Sequence, residues 1–322
     1  MSRVIAISNL KGGIGKTTTV VNLGAGLALK GARVLLVDVD AQGNVAMALG
    51  VRPRRTLYEV LVDGAAAADC VFNARPNLDL IAGNQALLGV QPVIAQRPDW
   101  SRVLEQGLRP LFGVYDFILI DSGGSLTVLN TNALMCATDV LVPTAVEHFS
   151  LKSIDLLFSH VTHIKGHSGA VRMIIPTMYD PRMRQSGELL DALRAQYGAI
   201  VGEPIRVNVR LSEASTEGRT IYEFDPRSRG AADYAQLVER VSELFRFTPG
   251  TQPQPQETIQ LPAVEAAAQP AVSGAINGPS ANPNACPNCG HPLQHATLAG
   301  YRVTYCDNCK YKTQTLAGGP RR

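Results

Sequence analysis

The stretch Ser8-Asn9-Leu10-Lys11-Gly12-Gly13-Ile14-Gly15-Lys16-Thr17-Thr18 gathers residue types that bind phosphate. Its three glycines let successive backbone N–H groups point at one anion. Lys16 supplies a point charge for terminal phosphates and Thr17 a hydroxyl for magnesium, while a helix opening at this point adds its positive end. The strict form of such a loop has Gly at its first position; this chain has Leu10, and a second lysine, Lys11, stands inside the loop. A carboxylate that could serve the same phosphates is Asp121, which closes the apolar run Phe117-Ile118-Leu119-Ile120 and would hold Mg²⁺ through water. A separate chemistry sits near the other end. Cys286, Cys289, Cys306 and Cys309 form two C-x₂-C knuckles separated by sixteen residues, the spacing of a tetrahedral four-sulfur Zn²⁺ site. His291 and His295 could replace a sulfur, but four cysteines already close the site.

These groups need elements to hold them. Val4-Ile5-Ala6-Ile7, Val34-Leu35-Leu36-Val37, Leu78-Asp79-Leu80-Ile81, Phe117-Ile118-Leu119-Ile120, Val140-Leu141-Val142 and Met173-Ile174-Ile175 are short apolar runs, mostly without alternation. Strands covered on both faces by helices read this way. Helical patterns at 17–30, 151–165, 187–197 and 231–245 lie between or after them, so the sequence predicts a doubly wound, mostly parallel α/β sheet of P-loop type. On the last of these patterns Tyr234, Leu237, Val238, Val241, Leu244 and Phe245 make one apolar stripe, which predicts a core-facing helix rather than a membrane-targeting one. His160, His163 and His167 share helical spacing and read as a solvated helix end; Cys70 and Cys136 read as small buried apolar residues.

Composition divides the chain into a large α/β body at 1–247, a linker at 248–284, a zinc ribbon at 285–314 and a disordered tail at 315–322. The linker holds seven prolines with many Gln and Ala, which predicts a flexible segment. The ribbon segment is too short for a core of its own, so bound metal would supply its folding energy. Its basic residues suit nucleic acid, while protein docking or a purely structural part suits it as well. The chain has 322 residues, 45% apolar and 18% charged, with a net charge of +3. That balance excludes an acidic disordered chain and does not by itself announce a nucleic-acid binder. No apolar stretch has the length of a membrane span, and the start lacks an export signal, so neither secretion nor a spanning segment is expected.

The two-lysine loop resembles the deviant Walker A ATPases, and within them the ParA/Soj family of chromosome- and plasmid-partitioning ATPases. The resemblance covers about residues 1 to 247. It rests on Lys11 to Thr18, Thr19-Val20-Val21-Asn22-Leu23-Gly24, Asp38-Val39-Asp40-Ala41-Gln42-Gly43-Asn44 and Asn208-Val209-Arg210-Leu211-Ser212-Glu213-Ala214. It implies ATP and Mg²⁺ as ligands, the first held by Lys11, Gly12, Gly13, Ile14, Gly15, Lys16, Thr17 and Thr18. Thr17, Asp38 and Asp121 would serve the magnesium, and Asp40 would orient the attacking water. Lys11 would reach across an ATP-bound homodimer to the partner's phosphates, and Met178 and Asn208 would contact base or ribose. Arg206, Arg210, Arg219, Arg227 and Arg229 would hold DNA without reading its sequence.

The family's function implies ATP hydrolysis coupled to partitioning, with a ParB-like adaptor as partner and a cytoplasmic, nucleoid-associated location. The alternatives are a related ATPase that positions a protein cargo and a DNA-bound scaffold that uses nucleotide structurally. Two departures stand out. Asp121-Ser122-Gly123-Gly124 carries glycines where the family has a proline pair, and Arg206-Val207 replaces the usual Pro-Arg before Asn208.

Overall fold

The computed structural model describes residues 2–147, 150–248, 285–286, 289–298, 301–306, 308 and 312–316. The chain divides into two compact units, each treated by itself. In the first unit the strands are β1 (Arg3–Ile7), β2 (Val34–Asp38), β3 (Phe72–Arg75), β4 (Leu78–Ile81), β5 (Phe117–Asp121), β6 (Asp139–Ala145) and β7 (Val171–Thr177). Its helices are α1 (Lys16–Leu29), α2 (Asn44–Ala48), α3 (Leu57–Leu61), α4 (Leu87–Ala95), α5 (Val103–Leu108), α6 (Val128–Cys136), α7 (Ser150–Lys165), α8 (Arg184–Tyr197), α9 (Val209–Thr216), α10 (Ile221–Phe224) and α11 (Arg229–Leu244).

The sheet order is β3-β4-β2-β5-β1-β6-β7. All neighbours run parallel except the β3–β4 pair. Each of the six expected apolar runs lies in a strand. Strand β3 was not foreseen. Its sequence Phe-Asn-Ala-Arg has no apolar run, and it lies at the sheet edge, where one side lacks a strand partner among the described residues. Asn77, at φ 59°, makes the turn that joins it to β4.

Side chains alternate across a strand, so a strand apolar at every position buries both faces. In β1, Val4 and Ala6 join one apolar cluster while Ile5 and Ile7 join another. The first cluster receives Leu57, Leu87, Leu104, Leu129 and Ile154 from α3 to α7. The second receives Val20, Leu23 and Leu27 of α1 and Tyr234, Leu237 and Val238 of α11. Thus α11 faces the core, as its stripe predicts. Among the described residues no helix is long and apolar enough to cross a membrane.

The second unit has an antiparallel sheet of β8 (Gln294–Leu298), β9 (Tyr301–Tyr305) and β10 (Lys312–Leu316). Strand β10 continues to Leu316, two residues into the segment expected as tail. The expected linker, beyond Thr248, and the end of the tail lie outside the described residues.

Candidate nucleotide site and cysteine cluster

Register brings the acidic and loop residues to one edge of the sheet. Ile7 and Asp38 both pair with Asp121, so the phosphate loop, Asp38 and Asp121 leave the carboxyl ends of three adjacent strands at one level. Ligands of open α/β sheets bind at this edge. The loop is anchored from several sides. Asn9 donates through Nδ2 to Pro143 O at 2.8 Å and Thr144 Oγ1 at 2.9 Å; Thr177 Oγ1 donates to Ile14 O at 2.8 Å. Thr19 Oγ1 donates to Gly15 O, also at 2.8 Å. Gly13 and Gly15 have φ of 71° and 86°, so the glycines here meet a backbone requirement.

At the start of α1, Lys16 is buried and its Nζ donates to Lys11 O at 2.6 Å. Thr17 Oγ1 donates to Asp121 Oδ2 at 2.7 Å. The other oxygen, Asp121 Oδ1, is buried with no partner among the described residues. Burial, then the charge of Asp38, hold the Asp121 carboxyl well above the usual range; Thr17 and Lys16 act against this. Burial pushes Asp38 up to about 7, opposed by hydrogen bonds from Val45 and Asp40. Burial lowers Lys16, opposed by Asp121 and Asp40. A site with two crowded acids, an orphaned carboxylate oxygen and a threonine hydroxyl fits a hard divalent cation, which would supply the missing positive charge.

The structure gives the two aspartates of the second strand end different work. Asp38 accepts from Asp40 N at 2.9 Å and Val45 N at 3.1 Å. With both oxygens on backbone amides it builds the turn that carries Asp40. Asp40 is half-buried; its Oδ1 accepts from Gln42 N at 3.0 Å. Its Oδ2 would lie 3.3 Å from a Cβ placed on Gly123. Asp40 thus faces the loop after Asp121.

Two asparagines and a glutamate that sequence reasoning passed over brace this region. Asn130 accepts from Gly123 N at 3.0 Å and donates to Gly123 O at 3.2 Å and Ser125 O at 2.5 Å. Asn22 accepts from Ile221 N at 2.8 Å and donates to Thr18 O at 2.9 Å. Glu147 pairs with Lys11 at 2.6 Å. Asn22 lies in the run Thr19 to Gly24, which by itself gave it no role, and Asn130 meets residues five and seven positions before it, whereas Glu147 reaches Lys11 only through the fold.

Met178 and Asn208 flank a bridge between Tyr179 and Arg206, so the fold joins the two segments expected at the base or ribose. Met178 has φ 54° and is exposed, and Asn208 caps α9 by accepting from Arg210 N at 2.9 Å. The five arginines separate into two groups. Arg206 grips the buried Asp233, with Nη2 2.5 Å from Oδ1. Arg210 pairs with Glu213 at 2.9 Å and Asp225 at 3.2 Å. Arg219 pairs with Glu217 at 3.7 Å, donates to Glu223 O and, like Arg210, lies over the Phe224 ring. Arg227 and Arg229 are exposed and make no ion pair among the described residues.

In the second unit, the sulfurs of Cys286, Cys289 and Cys306 lie within 4.8 Å of one another, and the Cys289 and Cys306 sulfurs are 3.5 Å apart. The first knuckle closes through Gly290 N to Cys286 O at 2.9 Å, with Gly290 at φ 71°. His291 turns Nδ1 to Cys289 O at 3.2 Å. Cys309 lies outside the described residues. Three sulfurs at this spacing fit one soft or borderline metal ion.

A P-loop and a carboxylate pair at the carboxyl edge of a parallel sheet define a P-loop nucleotide-binding protein. An AAA domain family model matches residues 2–172. The chain is 36% identical over 250 residues to the sporulation initiation inhibitor protein Soj of Bacillus subtilis, covering 75% of this chain and 99% of that one. It is 37% identical over 249 residues to the chromosome partitioning protein ParA of Caulobacter vibrioides, covering 74% and 93%. Among solved structures, the septum site-determining protein MinD of Pyrococcus horikoshii, complexed with Mg-ADP, superposes with a TM-score of 0.66 at 27% identity, covering 76% and 97%. The chain belongs to the ParA/Soj family of partitioning ATPases.

Proposed function

We propose that this chain is an ATP-operated dimerising switch that binds DNA through phosphate contacts and moves a replicon together with a ParB-like adaptor. The convergence of Lys16, Thr17, Asp40 and Asp121 at one sheet edge is the observation that carries this reading. Backbone N–H groups of Gly12 to Thr18 cradle the phosphates, and Lys16 neutralises charge on them. Thr17 and Asp121 would hold Mg²⁺, which when bound would supply positive charge beside the terminal phosphates. Asp40, presented by Asp38, orients the water that attacks the terminal phosphorus. The bond to the bridging oxygen breaks, giving ADP and phosphate. Lys11 serves the partner's triphosphate, as an arginine finger does.

For DNA, the two unpaired arginines, Arg227 and Arg229, are the strongest candidates. Arg210 and Arg219 would have to exchange carboxylates for phosphates, and Arg206 is spent on Asp233. Such contacts are salt-sensitive and blind to sequence. Cys286, Cys289 and Cys306, grouped in the structure, would hold Zn²⁺ together with Cys309, and the metal would supply the ribbon's folding energy; a second reading makes that ribbon the adaptor or cargo contact.

The deciding measurement is ATP turnover with and without duplex DNA and a ParB-like protein from the same source. We expect weak turnover alone, raised by both together. Turnover indifferent to both would overturn the partitioning reading. Removing residues 285–322 and finding the stimulation intact would move the ribbon out of the mechanism.

A further inference from the structure

The two lysines of the phosphate loop are both held by the chain itself. Lys16 Nζ is on the carbonyl of Lys11 at 2.6 Å, and Lys11 Nζ is 2.6 Å from Glu147 Oε1. Glu147 follows β6, which lies beside β1 in the sheet and so delivers it to the loop. Its backbone is fixed there, with Val146 N donating to Thr177 O at 3.0 Å and Glu147 N to Ala145 O at 2.9 Å. The main chain of Lys11 is pinned as well. Lys16 holds its carbonyl, and Gly124 packs so closely that a Cβ would lie 3.1 Å from the Lys11 carbonyl carbon. With the backbone fixed on two sides, the ammonium goes where its four-carbon stem finds a partner. In the single subunit that partner is Glu147.

We propose that Glu147 is a positioning residue that retains Lys11 on its own subunit and so sets the nucleotide threshold for dimer closure. The proposal rests on the reading of Lys11 as the residue that serves the partner's triphosphate. Closure would then exchange one ionic partner for another. The side chains of Lys11 and Glu147 are 33% and 49% exposed, so the pair is screened by solvent and weak enough to break. A triphosphate enclosed between two subunits offers more charge in a drier place, and wins the lysine once both halves are loaded. Glu147 therefore acts as a brake on closure by partly loaded or empty pairs.

The test uses the full-length protein and follows dimer mass by light scattering as ATP is raised. Glu147→Gln, which keeps shape and removes charge, should lower the ATP concentration for half-maximal dimer about three- to five-fold at low salt, the range expected for an exposed ion pair. Glu147→Ala should do the same, and Glu147→Asp should restore most of the wild-type threshold. The gap between wild type and Glu147→Gln should close as salt is raised, which a packing defect would not produce. An unchanged or raised threshold in both Glu147→Gln and Glu147→Ala overturns the proposal, provided Lys11→Ala abolishes the ATP-dependent dimer. If Lys11→Ala dimerises like wild type, the trans-lysine reading itself fails, whatever Glu147 does.

Discussion

The nucleotide-binding body and the cysteine module reach order by opposite means. In the body every residue of β2 and β5 is buried, and two apolar clusters enclose the sheet. Its site is then assembled on strand ends that the core has already fixed. In the module the buried residues among those described are Cys286 and Cys306, which are also the expected metal ligands. With the expected metal bound, the site would come first there and the small sheet would follow from it. A large core can carry charged, strained chemistry at its edge, whereas a module built on sulfur has its chemistry as its core.

Metal removal gives the largest expected effect. Structural zinc supplies about 10–16 kcal/mol to small modules, so a strong chelator should unfold residues 285–316 and leave the melting of the body unchanged. Mass-spectrometric thiol alkylation checks this. The module's cysteines should become reactive on chelation, while Cys136 stays protected because burial pushes its thiol up to about 12. A body that melts along with the module would erase the contrast.

A smaller effect is expected from Leu119→Ala, at a fully buried position of β5. It should cost the body about 2–5 kcal/mol in denaturant titration, without loss of bound zinc. Smaller again is Asn22→Ala, which strands the buried N–H of Ile221 and should cost about 1–3 kcal/mol. Because Asn22 also holds Thr18 O, that variant sharpens the comparison by showing how far the body's polar seams depend on the phosphate helix.

The parts that the sequence displays are those whose function requires local spacing. A phosphate loop must be contiguous, since its N–H groups come from consecutive residues, and a metal knuckle must be C-x₂-C. The phosphate loop was legible, as were the strands buried on both faces, and the cysteine spacing pointed to the grouping of Cys286, Cys289 and Cys306. The edge strand β3 was not, because a half-solvated strand carries little apolar signal. Glu147, Asn130 and Asp233 stayed hidden for another reason. Glu147 and Asp233 meet their partners only through the sheet order or helix packing, and Asn130 closes a nearby loop whose path no local pattern displays; a lone Glu, Asp or Asn in a sequence does not announce such a meeting. Asp38 shows the reverse case. It stands in a recognisable motif, yet its hydrogen bonds to Asp40 and Val45 give it an architectural task that the motif does not display.

Gly124 limits what can be grafted into this chain. A methyl group there would sit 2.8 Å from the Gly12 nitrogen, closer than real Cβ atoms come to backbone. The proline pair of the family's loop therefore cannot be transplanted while the two segments keep their present spacing. Any homologue-guided redesign of residues 123–124 would have to re-route both loops together, so this edge of the protein has to be rebuilt as a unit.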